Sequence, residues 1–255
     1  MIRHLVIPDT QVTPDSDTDH IRWLSDYTIE MKPDVIIMIG DWWDMPSLSS
    51  YDVGKKSFEG RRYLKDIDAG NRAMRLFLEP IQKESKRLKK NKKRAWEPRL
   101  VFCLGNHENR IERAAENDPK LEGVITLDHL ALKDWEVVPF LKPIVIDGVA
   151  YCHYFCSGVM GRPVSSAKVM LTKQHMSCIM GHVQDRDIAF AKRADGTRMT
   201  GLFAGIYYPE DQEYLNPQTN NSWRGIWVLN EVEDGSFDEL PVSMSYLRRK
   251  YAGVG

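Results

Sequence analysis

Five short apolar segments rich in β-branched residues each lead into a polar side chain, and this pattern constrains the fold more than any other feature. The segments are Leu5–Ile7, Val35–Ile39, Leu100–Leu104, Val149–Phe155 and Cys178–Met180. Runs of this length and composition predict buried strands. Side chains just beyond the carboxyl ends of parallel strands meet at one edge of a sheet. The sequence therefore predicts an α/β fold with a polar site at one sheet edge.

The polar residues at or next to these strand ends are carboxylates, amides and imidazoles. Such oxygen and nitrogen donors bind small divalent cations. A single carboxylate can bridge two cations, and two metals about 3.5–4 Å apart can activate water and neutralise a phosphate. Asp41, Asn106, His153 and His182 offer donors of this kind.

Composition places few limits on partners. The chain has 255 residues, 42% of them hydrophobic, which is enough for a substantial core, and its formal net charge of -1 does not indicate an anionic partner. No run of about 18 apolar residues occurs, so we expect no membrane contact and an intracellular location. The four cysteines form no CxxC motif, and core packing is the simplest interpretation of them.

One domain spanning residues 1–255, with a helical, basic insertion at about 45–99, is the simplest organisation. The spacing of apolar residues predicts three helical segments: one from Asp19 to Pro33, one from Arg61 to Lys90 interrupted or kinked by Gly70 and Pro80, and one starting at Ser165. Two Asp-Gly pairs predict hairpins in the second half. The corresponding strands are Ala189–Ala191, Met199–Phe203, Trp223–Leu229 and Leu240–Tyr246.

Two motifs together carry a family resemblance. Gly40-Asp41-x-x-Asp44 and Gly105-Asn106-His107-Glu108 occur in this order, each after a predicted strand. The chain resembles the calcineurin-like metallophosphoesterases in these motifs and in their order from about residue 5 to 185. The resemblance implies a central β-sandwich of mixed sheets flanked by helices, in four layers (α/β/β/α). The length and the basic section are similar to those of bacteriophage-encoded members, which would place the protein in the host cytoplasm.

The resemblance also implies roles for the site residues. Two divalent metal ions would share Asp41 as a bridge, and a metal-held hydroxide would attack phosphorus in line. His107 would protonate the leaving oxygen while Asp44 orients its ring. The first metal would be surrounded by Asp9, Gln11, Asp41 and Gln184, and the second by Asp41, Asn106, His153 and His182.

The chain departs from the family pattern at one of these two metals. Gln11 and Gln184 stand where the family usually has histidine, and both retain an amide oxygen. Oxygen donors favour harder ions, so Mn²⁺ or Mg²⁺ is expected there ahead of Zn²⁺, Fe or Ni²⁺. The two glutamines also predict a weaker site.

Substrate contacts are open to alternatives. Arg110 could meet a phosphate or pair with Glu112 or Glu108. The indoles of Trp42 and Trp43 could stack a base or wedge their loop against the core. The basic segment Lys83–Arg99 could bind a nucleic-acid backbone beside the site, or be a solvated helix end.

The function expected from these features is metal-dependent hydrolysis of a phosphate ester. A phosphodiester, nucleotide or nucleic-acid substrate is favoured by the basic segment and the paired tryptophans. One alternative is a phosphomonoesterase acting on a nucleotide or a phosphoprotein. Another is a non-catalytic nucleic-acid-binding module whose metal site has weakened. The sequence does not indicate an oligomeric state.

Overall fold

A computed structural model describes residues 2–50, 54–209 and 222–253. Residues 51–53 of the predicted insertion, and 210–221 of the C-terminal half, lie outside the described residues. The helices are α1 (Asp19–Met31), α2 (Tyr63–Lys90), α3 (Asn109–Asn117), α4 (Ala167–Gln174) and α5 (Met244–Tyr251), with 3-10 turns at Pro46–Leu48, Lys56–Phe58, Pro119–Leu121 and Leu127–His129. The strands are β1 (His4–Ile7), β2 (Val35–Met38), β3 (Arg99–Cys103), β4 (Glu136–Val138), β5 (Ile144–Ile146), β6 (Val149–Cys152), β7 (Cys178–Met180), β8 (Arg186–Lys192), β9 (Arg198–Ala204), β10 (Gly225–Glu233) and β11 (Ser236–Ser243).

The described strands form two mixed sheets. The first has the order β11-β10-β1-β2-β3-β4, and its strands β1 to β4 are parallel. The second has the order β5-β6-β7-β9-β8, and β6, β7 and β9 are parallel within it. Because β1, β2 and β3 point the same way, the loops that follow them emerge at one edge of the first sheet.

Alternating side chains divide the core into layers. In β1, Leu5 and Ile7 face α1 and α2. Val6 faces the second sheet and shares a core cluster with Ile179 of β7. The outer face of the second sheet packs against α4. This period of two is what an extended strand buried on both faces requires. The four-layer arrangement of helices, two sheets and helices is therefore confirmed.

Two predicted elements differ from the structure. Gly70 and Pro80 do not break the long helix, since α2 continues through both. Gly70 instead makes room for a side chain, because a Cβ there would lie 1.9 Å from Trp43 Cδ1. The last predicted strand, Leu240–Tyr246, ends early because Ser243 accepts a hydrogen bond from Tyr246 N (3.2 Å) and starts α5. Among the described residues, no helix has the length and apolarity needed to cross a bilayer.

Stability should fall in mild acid because of a buried histidine in α1. The His20 side chain is 2% exposed, neither ring nitrogen has a hydrogen-bond partner among the described residues, and Tyr207 lies against the ring. Burial lowers the pKa of His20 to about 4, although Asp17 acts in the opposite direction. The unfolded chain, with a His pKa near 6.5, therefore binds the proton first. As far as His20 determines it, the free energy of unfolding is highest above about pH 6.5, and it falls by about 3 kcal/mol as the pH decreases towards 4.

Urea unfolding of wild type and His20→Gln between pH 4 and 7.5 would measure this loss. The variant should show a flatter profile, although His4, His153 and His182, whose pKa values burial also lowers, leave some slope. His129→Gln is the matched control because that ring is exposed. Parallel profiles for wild type and His20→Gln would contradict the prediction.

Candidate active site

The loops after β1, β2, β3, β6 and β7 converge at one edge of the two sheets. Asp41, His153 and His182 place one ligand atom each within 4.8 Å of one another. Asn106 Oδ1 lies 2.8 Å from His153 Nε2 and 2.8 Å from His182 Nδ1. Asp9 Oδ1 accepts a hydrogen bond from His182 N (3.0 Å). The structure thus brings together five of the seven predicted metal ligands.

The glycines of two motifs permit this close approach. A Cβ on Gly105 would lie 2.1 Å from Asp41 Oδ1, and a Cβ on Gly181 would lie 2.4 Å from Asp9 Oδ1. No side chain fits at either distance, so any other residue would displace a carboxylate of the site. The glycine in each motif is therefore explained by the carboxylate that lies against it.

The backbone at the site is strained in the way that functional loops often are. Gln11, Asp41 and His182 have φ values of 45°, 56° and 63°, in the left-handed region that non-glycine residues seldom adopt. The surrounding loops hold this conformation: the N–H of Gln11 donates to Asp41 O (2.8 Å). Among these three residues, Asp41 and His182 belong to the cluster that their loops bring together.

Glu108 ties two of the loops together. Its Oε1 accepts hydrogen bonds from the N–H groups of Trp42 (2.7 Å) and Trp43 (3.1 Å), and its Oε2 from those of Asp41 (2.9 Å) and Gly105 (2.8 Å). The side chain is fully buried, and burial, then the charge of Asp41, raises its pKa to about 7. The last residue of the Gly105-Asn106-His107-Glu108 motif thus fixes the whole turn that carries Asp41.

Two histidines, His153 buried and His182 half-buried, have the protonation state of metal ligands. His153 Nδ1 lies 2.9 Å from Ile39 O, so this nitrogen must carry the proton, which leaves Nε2 with a lone pair. That lone pair faces Asn106 Oδ1 at 2.8 Å and Asp41 Oδ2 at 3.4 Å. Either a cation lies between these acceptors or the Asn106 amide is turned so that its nitrogen donates. Burial also lowers the pKa of His153, and lowers that of His182 to about 4, so both rings are neutral near pH 7.

The surroundings of Asp9 support the first of these alternatives, a bound cation. Its Oδ2 is buried and has no hydrogen-bond partner among the described residues. Burial, and then the neighbouring charge of Asp41, raise the pKa of Asp9 well above its usual value. Two buried carboxylates with an unpaired oxygen are costly unless a positive charge compensates them. The donor set therefore fits one or more divalent cations.

The two predicted glutamine ligands are placed differently from the rest. Gln11 is buried beside Asp41 in the turn described above. Gln184 is partly exposed, and its Oε1 accepts a hydrogen bond from Ser222 Oγ (3.2 Å). The ligand set is therefore compact on the side of the two histidines and looser on the side of the glutamines.

No family model and no curated protein matches the chain. Among solved structures, the chain is similar to Yfce, a phosphoesterase from E. coli, with 9% sequence identity, a TM-score of 0.42, and coverage of 95% of this chain and 100% of that chain. A similarity at this level carries no argument about the fold or activity. Both rest on the residues of this chain.

A third histidine lies against the carboxylates. His107 Nδ1 is 2.9 Å from Asp44 Oδ1, close enough for an ion pair although the N–H does not point straight at the oxygen. His107 Nε2 lies 3.7 Å from Asp41 Oδ2. Burial opposes a charge on this ring, but Asp41 and Asp44 outweigh it and raise the pKa of His107. The ring is thus oriented and retains its proton to a higher pH than a free histidine.

Arg110 contacts the same ring. Its Nη2 lies 3.0 Å from His107 Nε2, and its Nη1 donates to the carbonyl oxygens of Asp44 (2.7 Å) and Met45 (3.2 Å). In the described part of the chain it forms no ion pair with Glu112 or Glu108, the pairings that the sequence left open. The guanidinium therefore lies between His107 and the backbone carbonyls of Asp44 and Met45.

The two tryptophans lie in the core. Trp42 and Trp43 are fully buried, with ring neighbours Phe77 and Phe102 respectively, and Trp42 Nε1 donates to Gly70 O (3.1 Å). They wedge the loop against α2, which is the second of the two alternatives, and present no ring face to a base. An aromatic contact that the sequence analysis missed is Tyr154, whose half-buried ring lies 4.6 Å from that of His182. Only its position next to His153 could have suggested it.

The basic segment Lys83–Arg99 lies at the opposite edge of the first sheet. Because α2 runs back antiparallel to β2, its end meets the strand starts: Trp96 Nε1 donates to Pro33 O (2.8 Å), and Arg99 N to Asp34 O (2.9 Å). The interpretation that it flanks the site was therefore wrong. Three of its nine cations are ion-paired, as Arg87–Glu84, Lys89–Glu97 and Arg99–Glu136.

Proposed function

We propose that this chain is a metal-dependent hydrolase of phosphate esters. The observation that carries the proposal is the convergence of Asp41, His153, His182 and Asn106 with a histidine that a carboxylate orients. A donor set of this kind next to a positioned acid is the arrangement that metal-assisted attack on phosphorus requires. A scaffold that only binds would have no use for an oriented His107.

Residues of this chain would supply the ligands of both metal ions. Asp41, Asn106, His153 and His182 would hold one divalent cation, and Asp9 and Gln11 with Asp41 a second, weaker one. The bound cations would supply an activated water and neutralise phosphate charge. Mn²⁺ is the ion proposed first, because the looser side offers only carboxylate and amide oxygens. Gln184 would be a ligand only if its Oε1 gave up the hydrogen bond from Ser222 Oγ.

His107 would protonate the leaving oxygen of the ester, and Arg110 would bind its phosphate. In this structure Nε2 of His107 accepts from Arg110 Nη2 (3.0 Å), because a guanidinium can only donate. Once Arg110 turns away, Nε2 can carry the proton that the raised pKa of the ring favours, and can give it to a leaving oxygen as the P–O bond breaks. Asp44 keeps the ring in this orientation. Arg110 would turn from Nε2 to a phosphate oxygen, since its other nitrogen stays anchored on backbone carbonyls.

A phosphodiester is the substrate class proposed first. The two features from which the sequence favoured it give no support, because the basic segment lies at the opposite sheet edge and the two tryptophan rings are buried in the core. The support that remains is that, among the described residues, Arg110 is the one cationic side chain hydrogen-bonded to His107. A single guanidinium matches the single charge of a diester better than the two charges of a monoester. Nucleotide and phosphoprotein monoesters are the alternative.

The test is hydrolysis of a bis-aryl phosphodiester and an aryl phosphomonoester, side by side, with Mn²⁺. His107→Ala should lower the turnover of the preferred ester by about 100- to 10,000-fold, the usual value of a general acid, while Mn²⁺ still binds. His129→Ala is the control because this exposed ring hydrogen-bonds Tyr63, away from the site. Equal turnover in wild type and His107→Ala would refute the acid role. Mn²⁺ binding without hydrolysis of either ester would favour a binding module.

A further inference from the structure

A second cavity lies at the edge of the first sheet opposite the candidate active site. Its volume is about 420 Å³, within the range of small-molecule sites. Asp34, which lines it, precedes β2, whereas Asp41 follows that strand, so about 13 Å of strand separates the two places. The cavity is lined mainly by Arg3, Lys32, Asp34, Lys93, Arg94 and Trp96.

Positive charge exceeds negative charge in this cavity. Four cations line it; Lys32 is paired with Glu84 (3.5 Å), and the other three face the carboxylates of Asp34 and Glu231. Asp34 Oδ2 already accepts the N–H of Arg3 (2.8 Å). In the described part of the chain, neither Lys93 nor Arg94 has a carboxylate within ion-pair distance, although both are exposed at the rim. The cavity therefore offers an anion two cations, Lys93 and Arg94, that form no ion pair with a described carboxylate.

Part of the site is rigid. The Arg3 guanidinium is held by Asn230 Oδ1, which accepts from Nε (2.8 Å), and by Met31 O, which accepts from Nη1 (2.5 Å). Trp96 is fixed by its bond from Nε1 to Pro33 O. Together with Leu88, Trp96 forms an apolar wall next to the cations. A fixed guanidinium, exposed cations and an apolar wall suit a ligand with an anionic end and a flat apolar end.

We propose that this cavity binds a nucleotide, with its phosphate at Arg3, Lys93 and Arg94 and its base towards Trp96 and Leu88. The nucleotide is either free or the end of a single strand, since both present the same phosphate and base. The proposal gives the basic segment a role that is independent of the hydrolytic site. The unpaired cations of the segment outside the cavity, such as Lys83 and Lys86, are solvated helix surface.

The test is binding of a fluorescent N-methylanthraniloyl mononucleotide to the full chain in EDTA, which removes metal from the hydrolytic site. Lys93→Glu/Arg94→Glu should weaken binding about 10-fold or more, because two charge-assisted phosphate contacts become repulsive. Lys83→Glu/Lys86→Glu makes the same charge change on exposed helix and should alter the affinity less than about 2-fold. Thermal melting of both variants verifies the fold, and both should hydrolyse phosphate esters as wild type does.

A second arm replaces the mononucleotide by a labelled ten-nucleotide single strand. Tighter binding that still depends on Lys93 and Arg94, and not on Lys83 and Lys86, supports the site with a strand end as its ligand. Equal weakening by both double variants, with either probe, would show diffuse attraction by charge and overturn the proposal. Failure of both probes to bind at millimolar concentration, or binding insensitive to Lys93→Glu/Arg94→Glu, would also overturn it.

Discussion

Replacing Asp41 with asparagine is expected to reduce phosphate-ester turnover by about 1,000-fold or more and to weaken Mn²⁺ binding at least about 100-fold. Asp41 is the carboxylate in the cluster with His153 and His182, and its Oδ2 also lies 3.7 Å from His107 Nε2. Asparagine preserves the shape and the acceptor Oδ1, to which His107 N donates (2.9 Å), but removes the charge. Loss of about 4 kcal/mol of electrostatic stabilisation corresponds to this factor in rate.

Metal binding can be measured apart from activity by calorimetric titration of the apoprotein with Mn²⁺. Asp195→Asn is the matched control, because this carboxylate lies in the exposed β8–β9 turn and bonds only locally to Thr197. An Asp41→Asn protein that binds Mn²⁺ as wild type does would refute the assignment of Asp41 as a ligand. An unchanged Mn²⁺ affinity in the control with a weakened one in Asp41→Asn would support it.

The positions of the candidate site residues could be predicted because strand direction determines them. Asp9, Asp41 and Asn106 follow three parallel strands of one sheet, and His153 and His182 follow two of the other. Once the apolar segments are assigned as strands, their carboxyl ends must lie together. The same reasoning, applied to α2, would have placed the basic segment at the far edge, since a helix between parallel strands runs back.

Contacts made by long side chains could not be predicted. The sequence left Arg110 with three partners, and the structure shows a fourth, His107, because the rotamer depends on carbonyl oxygens from another loop. The helix break expected at Gly70 fails for a related reason. Local propensity favours a helix break at glycine. Packing of Trp43 against the helix, however, requires a glycine at position 70, and tertiary packing prevails over propensity.

Replacing Glu108 with glutamine should lower the free energy of unfolding by about 4 kcal/mol or more. The amide nitrogen of glutamine would face two of the four N–H donors that the carboxylate now accepts, leaving them buried without a partner. Each unsatisfied donor costs about 1–3 kcal/mol, and the remaining bonds lose their charge assistance. Urea unfolding at pH 8 in EDTA isolates this effect, because the carboxylate is then ionised and no metal stabilises the fold.

Glu112→Gln is the matched control for this loss. That side chain is exposed on α3, so its free energy of unfolding should stay within about 0.5 kcal/mol of wild type. A loss below about 1 kcal/mol in Glu108→Gln would mean that the turn is held by other contacts. The larger loss would show that Glu108 stabilises the turn whose left-handed residue, Asp41, lies beside His153 and His182.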